Sequence, residues 1–529
     1  MRAAHAVPAV RAAEQALMAT VPDGALMQRA AAGLAAACTS LLDHVYGARV
    51  VVLAGGGDNG GDALFAGARL ASRGASVTAV AASSRLHEEG RDALVEAGGR
   101  VVQAAEPAAG REAAAAGAGQ QHAGSSSAAA ADAGGDGGDI GPQARAAIVR
   151  ADLILDGLTG IGGQGGLRQP GAALAGLAAQ ARANGAVVVA VDVPSGVDAS
   201  TGEASGSAIT ADATVTFGTW KPGLLIDPGA SLAGATQLVD IGLAGYLGDP
   251  AVVAMQAADV AAALPRVGPE SDKYRRGVLG VLAGSEHYTG AAVLSVGAAI
   301  HGGAGMVRLV SAEPPLQAVR QFWPEAVLTA VTGPDSIESA GRVQAWVAGP
   351  GMGTGPDSAD LLATVLATDL PVLVDADGIT ILAAHPELLK RAGPTLITPH
   401  AGELGRLLQA DRDDIEARRL HYATFAAARL GVTVLLKGST TVIAEPEEGR
   451  PAVVNPTGTS WLATAGSGDV LSGLAGALLA QGLSTIQAAA VGAYLHGLAG
   501  RIAADGAPIG ASDIIRALPA AIRAVNDSG

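Results

Sequence analysis

A chain of 529 residues is too long for a single core, because cores stop growing near ~250–300 residues, so two or more domains are expected. Hydrophobic residues at 49% supply ample core material, and aromatics at 3% leave little for stacking on nucleic acid. The 34 basic and 49 acidic side chains give a net charge of −15, which argues against a nucleic-acid or anionic-membrane partner. The lone Cys38 excludes a disulfide framework and a cysteine metal site; it reads as a small buried apolar residue and fits a reducing cytoplasm. With neither a signal pattern nor an uncharged apolar run of membrane character, a soluble cytoplasmic α/β chain is expected.

Helical patterning runs from Val10 to Leu42, broken by the turn Pro22-Asp23-Gly24. The β-branched run Arg49 to Leu53 predicts a buried strand. It feeds the loop Gly55 to Asp62, then a helix, then the strand ASVTAVA. This is a βαβ unit and implies a parallel sheet. Gly55, Gly57 and Gly60 satisfy G-x-G-x-x-G, the dinucleotide-binding spacing. Two features oppose a plain dehydrogenase. The second strand runs out at Arg85 with no carboxylate for a ribose hydroxyl, and Asp58 and Asp62 place negative charge where a diphosphate would sit.

From Pro107 to Pro142 the composition collapses into Ala, Gly, Ser and scattered acids, including His122. It reads as a low-complexity insertion unable to build a core. A short strand then ends in the loop Asp156 to Gly166, and the strand AVVVAVDVP ends at Asp192 and Ser195. Asn59, Asp156, Asp192 and Ser195 thus share the C-terminal edge of one sheet, where open parallel sheets bind ligands. Their donors are all oxygens, so any metal is hard: K⁺, Mg²⁺ or Ca²⁺.

In the second half, strands and turns alternate through GMVRLVS, AWVAGPGMGTG, PVLVDADG, TLITPHAGE and TVLLKGST. Candidate sites at strand ends are Gly351, Gly353, Asp375, Asp377, His400, Glu403 and Lys437. Asp375 and Asp377 alternate across one strand end, so only one is expected to face a ligand, while Glu416 to Arg419 read as a solvated face. Asn455 to Leu474 is the most telling stretch. Its Gly-rich turn, Gly466-Ser467-Gly468-Asp469, opens a helix and aims unpaired N–H groups and the dipole's positive end at one spot. That is an anion hole suited to phosphate. A carboxylate there is repelled unless it does chemistry, and Asp469 can take the proton from a hydroxyl that attacks phosphorus. The plain alternative is a first-turn Asp near an N-cap.

The runs DNGGD, DGLTGIGGQG and VDVPSGVD, with Glu14 and LMQRA before them, resemble the NAD(P)H-hydrate epimerase domain. The resemblance implies K⁺ held by Asn59, Asp156 and Ser195. It also implies hydrated NADH or NADPH against Asp58, Asn59, Gly60, Gly61 and Asp62, and against Gly160, Ile161, Gly162, Gly163, Gln164, Gly165 and Gly166. Asp192 would act at the epimerised carbon. Asp58, Ala63 and Ile161 stand where the family usually has Asn, Gly and Thr.

The motifs GPGMGTG, DADG, TPHAGE, KGSTT and NPTGTSWLATAGSGD resemble the NAD(P)H-hydrate dehydratase branch of the ribokinase-like superfamily. That implies ADP as phosphate donor, with Mg²⁺, and phosphorylation of the 6-hydroxyl of the S hydrate. Lys437, Gly438, Ser439, Thr440 and Thr441, with Thr459 to Gly468 (Gly466, Ser467 and Gly468 included), would hold the adenylate. Ala291, Gly353, His400 and Asp469 would meet the hydrate, Asp469 as base. The implied architecture is two three-layer αβα domains: a Rossmann-like sheet over 1–245, a passage over 246–262 and a ribokinase-like sheet over 263–529. A homo-oligomer is expected, without nucleic acid or membrane. The rival readings are a kinase for a vitamin precursor, and an N-terminal half that binds nucleotides or partners without chemistry.

Overall fold

The β-branched runs of the first half become seven parallel strands. Their order across the sheet is Arg100–Gln103, Ser76–Ala81, Arg49–Ala54, Leu153–Gly157, Val187–Val191, Ala213–Phe217 and Ala235–Val239. The computed structural model describes residues 1–105, 140–266, 268 and 272–528. Alternate side chains of each strand feed two cores. Val50 and Val52 pack with the helices Val7–Met18, Ala25–Leu41 and Asp58–Ala71. Val51 and Leu53 pack with Pro142–Val149 and Gly171–Ala183 on the opposite face. Strand order reverses between Arg49–Ala54 and Leu153–Gly157, where Leu53 pairs with Asp156 and Ala54 with Gly157. A crevice at such a switch point is where doubly wound sheets take ligands.

Most of the expected insertion, 107–139 with His122, lies outside the described residues. Its C-terminal limit is corrected. Ile140 bridges to Ala105 and is buried at 5% exposure, and Pro142 starts a helix. An apolar side chain fixed in the core ends the insertion two residues before its compositional boundary.

The second half builds an eleven-stranded mixed sheet. Its parallel run is Thr433–Leu436, Thr395–Ile397, Val372–Val374, Ala345–Ala348, Val278–Leu282, Met306–Ser311 and Val327–Ala330. The central strands are buried on both faces, so helices cover each side. Helices Thr289–His301, Ser467–Ala480, Thr485–Ala504 and Ala511–Ser528 share one apolar cluster with the sheet.

The chain divides into two compact units, His5–Gly248 and a unit of Asp249–Gly529 plus Met1–Ala4. The stretch 246–262, expected as a passage, carries the buried strand Val252–Ala254 and the helix Ala257–Ala263, capped by Gln256 and Asp259. Val252–Ala254 pairs with Ala452–Val454 on one side and with Arg2–Ala4 on the other. Pairing this distant in sequence leaves no local signature in so short a run.

Candidate active sites

In the His5–Gly248 unit, three strand ends and the first helix surround a cavity of about 1290 Å³. Its wall includes Asp58, Asn59 and Asp62 from one helix, Thr159, Gly160, Ile161, Gly162 and Gly163 from the following turn, and Asp192 and Glu14. Gly160 lets that turn close on Asn59, since a Cβ there would lie 2.9 Å from its Oδ1. Gly60 and Gly61 are not on the wall. Gly60 is backed against the Gly55 carbonyl, and Gly61 against His87 and Met27. Gln164, Gly165 and Gly166 also lie off it, with Gly166 packed on Gly206.

Asp156 is fully buried. Its Oδ1 accepts from Ser195 Oγ at 2.6 Å and Leu158 N at 3.3 Å, and its Oδ2 from Ser195 N at 2.8 Å. Burial, partly offset by those bonds, pushes its carboxyl up to about 6. All these donors are neutral, so the ionised carboxylate lacks a counter-charge. Asn59 Nδ2 is buried with no hydrogen-bond partner among the described residues. Rotating that amide would present its oxygen instead, so the carboxylate, the amide and the hydroxyl are donors of the kind a monovalent cation takes.

Asp192 is solved differently. It sits at φ +67, and its Oδ1 accepts from the Lys221 ammonium at 2.5 Å, Thr216 Oγ1 at 3.0 Å and Phe217 N at 3.1 Å. Lys221 is 1% exposed and also donates to the Phe217 carbonyl at 2.8 Å. Oδ2 of Asp192 has no hydrogen bond from the described residues, and the residue faces the cavity. Burial, then the charges of Asp192, Asp58 and Glu14, hold the Asp62 carboxyl well above the usual range. Burial and Asp192 raise Glu14 as well. One cavity therefore holds a lysine-paired carboxylate and two carboxyls whose proton affinity burial and like charge raise.

In the C-terminal unit, Gly466 at φ +84 opens the helix Ser467–Ala480 with no side-chain cap. A Cβ there would also collide with Leu294, so only glycine fits. Ser467 Oγ ties the turn to the Leu462 carbonyl at 2.7 Å. Asp469 lies in the first helical turn. Burial, with Asp375 and Asp377 adding to it and Lys437 opposing, pushes it up to about 7.

Lys437 follows the strand Thr433–Leu436 and donates to Asp375 Oδ1 at 2.7 Å, with Glu403 Oε2 at 3.8 Å. Burial alone would lower the ammonium, but Asp375 and Glu403 outweigh it and hold it up. Asp375 and Asp377 do not alternate across one strand. The strand stops at Val374, Ala376 adopts φ +49, and Asp377 begins a helix and accepts from Gly353 N at 2.9 Å. His400 caps the helix Ala401–Leu408, its Nδ1 accepting from Gly402 N and Glu403 N. Ala291 lies on the helix Thr289–His301, where a Cβ on Gly351 would come within 2.9 Å of it.

Arg419 is not solvated. It is 6% exposed and underlies Gly438, where any Cβ would collide with its guanidinium. That packing leaves Gly438 and Ser439 exposed and Thr440 buried. Among the described residues, no group of three or more His, Cys, Asp or Glu side chains is placed to hold a metal. No helix among them is long and apolar enough to cross a membrane.

Residues 23–223 match the family model described as YjeF-related protein N-terminus, and residues 279–519 the one described as NAD(P)H-hydrate dehydratase. The bifunctional NAD(P)H-hydrate repair enzyme Nnr of Mycobacterium tuberculosis is 45% identical over 490 residues, 91% of this chain and 90% of its own. The chain belongs to the bifunctional NAD(P)H-hydrate repair enzyme family. The Corynebacterium glutamicum repair enzyme is 33% identical, covering 91% of this chain and 88% of its own. An ADP/ATP-dependent NAD(P)H-hydrate dehydratase from Bacillus subtilis, co-crystallised with ATP and Mg²⁺, is 29% identical and covers 51% of this chain and 97% of its own, with a TM-score of 0.45.

For this repair-enzyme chain, several neighbours of the site escaped sequence reasoning. Lys221 carries a signal, because it lies in the turn after the strand Ala213–Phe217, in Thr219-Trp220-Lys221-Pro222-Gly223. Glu14, already part of the resemblance but given no role, is the polar residue beside the buried stripe Val10, Ala13 and Leu17. His496, buried on Thr485–Ala504, has an Nε2 with no hydrogen-bond partner among the described residues, and burial pushes it down to about 4. Nothing local in YLHGLAG marks it out.

Proposed function

We propose that the chain repairs damaged nicotinamide coenzymes in two steps. The His5–Gly248 unit interconverts the R and S hydrates of NADH and NADPH. The unit containing Asp249–Gly529 dehydrates the S hydrate at the expense of ADP, giving NAD(P)H, AMP and phosphate. The observation that carries this reading is Asp469, a carboxyl raised to about 7, at a helix N-terminus beside the Lys437 ammonium. Asp469 takes the proton of the 6-hydroxyl as that oxygen attacks the terminal phosphorus of ADP, and AMP departs. Backbone N–H groups of Gly466 and Gly468 would face the charge that develops on the phosphoryl oxygens, while that of Ser467 closes the turn onto the Thr464 carbonyl at 3.3 Å. A base near neutrality is well matched to this work, worth roughly 10²–10⁴ in rate. Phosphate then leaves from carbon 6 while a proton leaves carbon 5, which restores the ring double bond. Mg²⁺ would arrive on the ADP phosphates, its usual seat in nucleotide sites.

In the epimerase unit, Asp192 faces the reacting carbon through its unbonded Oδ2. Asn59, Asp156 and Ser195 would hold K⁺, whose charge offsets the buried Asp156 carboxylate. A cytoplasmic setting is proposed with this reading, since a reducing compartment suits the lone buried Cys38.

The substrate is tested by offering ADP or ATP with either the S hydrate or a hydroxymethylpyrimidine. Dehydration of the hydrate with release of phosphate supports repair. Phosphorylation of the pyrimidine, with the hydrate left intact, would establish the vitamin-precursor kinase instead.

A further inference from the structure

Asp375 is 1% exposed, and both of its oxygens are committed. Oδ1 accepts from Lys437 Nζ at 2.7 Å and Oδ2 from Ser472 Oγ at 2.7 Å. Ser472 stands three residues after Asp469 on one helix, the spacing that puts two side chains on a common face. The carboxylate thus joins the end of one strand, the lysine at the end of another, and the helix that carries Asp469. Gly468 completes the arrangement. A Cβ there would stand 3.5 Å from Lys437 Nζ and 3.8 Å from Asp375 Oδ2, so the ion pair seats directly beneath the anion-binding turn. A buried pair of this kind is weak evidence for stability, because desolvation consumes most of the Coulombic gain. Its placement asks for another role.

We propose that the Asp375–Lys437 pair positions and tunes the dehydration step: Asp375 fixes the ammonium beneath the nucleotide-facing turn, and the two opposite charges set the readiness of Asp469 to accept the hydroxyl proton. The proposal rests on Asp469 being the base. Charged groups bear on Asp469 from the turn after Val374 (Asp375 and Asp377) and from the end of Thr433–Leu436 (Lys437). The helix Thr289–His301 contributes only the Ser295 hydroxyl, bonded to the Asp469 carbonyl at 3.2 Å. The helix Thr485–Ala504 contributes His496, near the Ser467 backbone and kept neutral by burial. Asp375 favours the protonated form of Asp469 and Lys437 the ionised form. Neutralising them should therefore move Asp469 in opposite directions, each by about one pH unit. A merely structural lesion has no reason to change sign between the two.

The experiment titrates full-length protein labelled with ¹³C-carboxyl aspartate. Asp469→Asn assigns the resonance, and kcat is followed against pH at saturating ADP and S hydrate. Asp375→Asn should lower the Asp469 midpoint and carry the acid limb of kcat down with it, with a severalfold rise in KM for ADP as Lys437 loses its anchor. Lys437→Gln should raise the midpoint and the limb. Lys437 is 20% exposed along its side chain, so this variant tests the pair even if Asp375→Asn does not fold. A midpoint that stays put, or shifts of the same sign in both variants, overturns the proposal. A resonance that moves while the kcat limb does not would overturn it as well, but by removing Asp469 as base and leaving the electrostatic coupling intact.

Discussion

The two units hold the carboxylates proposed for catalysis at the same place, beside the C-terminal ends of parallel strands, and treat them in opposite ways. Asp192 is pinned through one oxygen by a fully buried lysine, a hydroxyl and a backbone N–H. Asp469 has no ammonium of its own, because the nearby Lys437 is taken by Asp375 and Glu403. Pairing fixes the orientation of a carboxylate, as would suit the role proposed for Asp192 at a carbon. Leaving one half-buried among like charges pushes its carboxyl up to about 7, as would suit the base proposed for the hydroxyl. The sheet edge supplies the location, and the neighbouring lysine supplies the difference in setting.

The largest expected effect comes from emptying the second site. Asp469→Asn should leave ADP binding within a few-fold and abolish nearly all dehydration. A variant retaining more than about a tenth of the wild-type rate would contradict the role, given the usual span for a lost general base. The companion change is Asp192→Asn, which should stop R-to-S conversion while the S hydrate is still dehydrated at the wild-type rate. Lys221→Met should do the same and also lower stability by about 3–5 kcal/mol, because it strands a buried carboxylate. Denaturant unfolding of the two variants separates chemistry from folding.

The pH profile sharpens the contrast. Asp469 must be ionised to accept a proton, so dehydration should fall as pH drops through about 7. Asp62 is held well above the usual carboxyl range by burial and by the charges of Asp192, Asp58 and Glu14. If it donates a proton during epimerisation, R-to-S conversion should instead fall as pH rises through its raised value. Two acid limbs of the same shape would remove the distinction.

Cation dependence is a milder test. With K⁺ replaced by a bulky organic cation, R-to-S conversion should drop several-fold and recover with KCl but not with MgCl₂. Full activity in the organic buffer, or an Asp156→Ala variant that keeps both rate and K⁺ response, would sink the cation site. The smallest effect is expected from replacing 107–139 by a short Gly-Ser bridge, which should leave both rates nearly unchanged. Ile140 must be kept, since it is part of the core.

Residues that announce themselves through backbone chemistry were legible. The Gly-rich turn before Asp469 and the βαβ run around Asn59 each follow from local φ requirements and periodicity. What the sequence hid depends on distant partners. Arg2–Ala4 and Val252–Ala254 become strands only by pairing with each other and with Ala452–Val454. Arg419 looked solvated within a charged run, yet Gly438 packs directly on it. Asp375 and Asp377 seemed to compete for one ligand. The unusual backbone at Ala376 instead sends one to Lys437 and the other to Gly353.

The central claim is that both chemistries reside in this one chain. It is tested most directly by giving the full-length protein ADP and R-enriched NADH hydrate, and following NADH by absorbance at a rate well above spontaneous epimerisation. NADH should be recovered beyond the S fraction initially present, and recovery should be limited to that fraction with Asp192→Asn. Recovery that stops at the S fraction in the wild-type protein would contradict the claim.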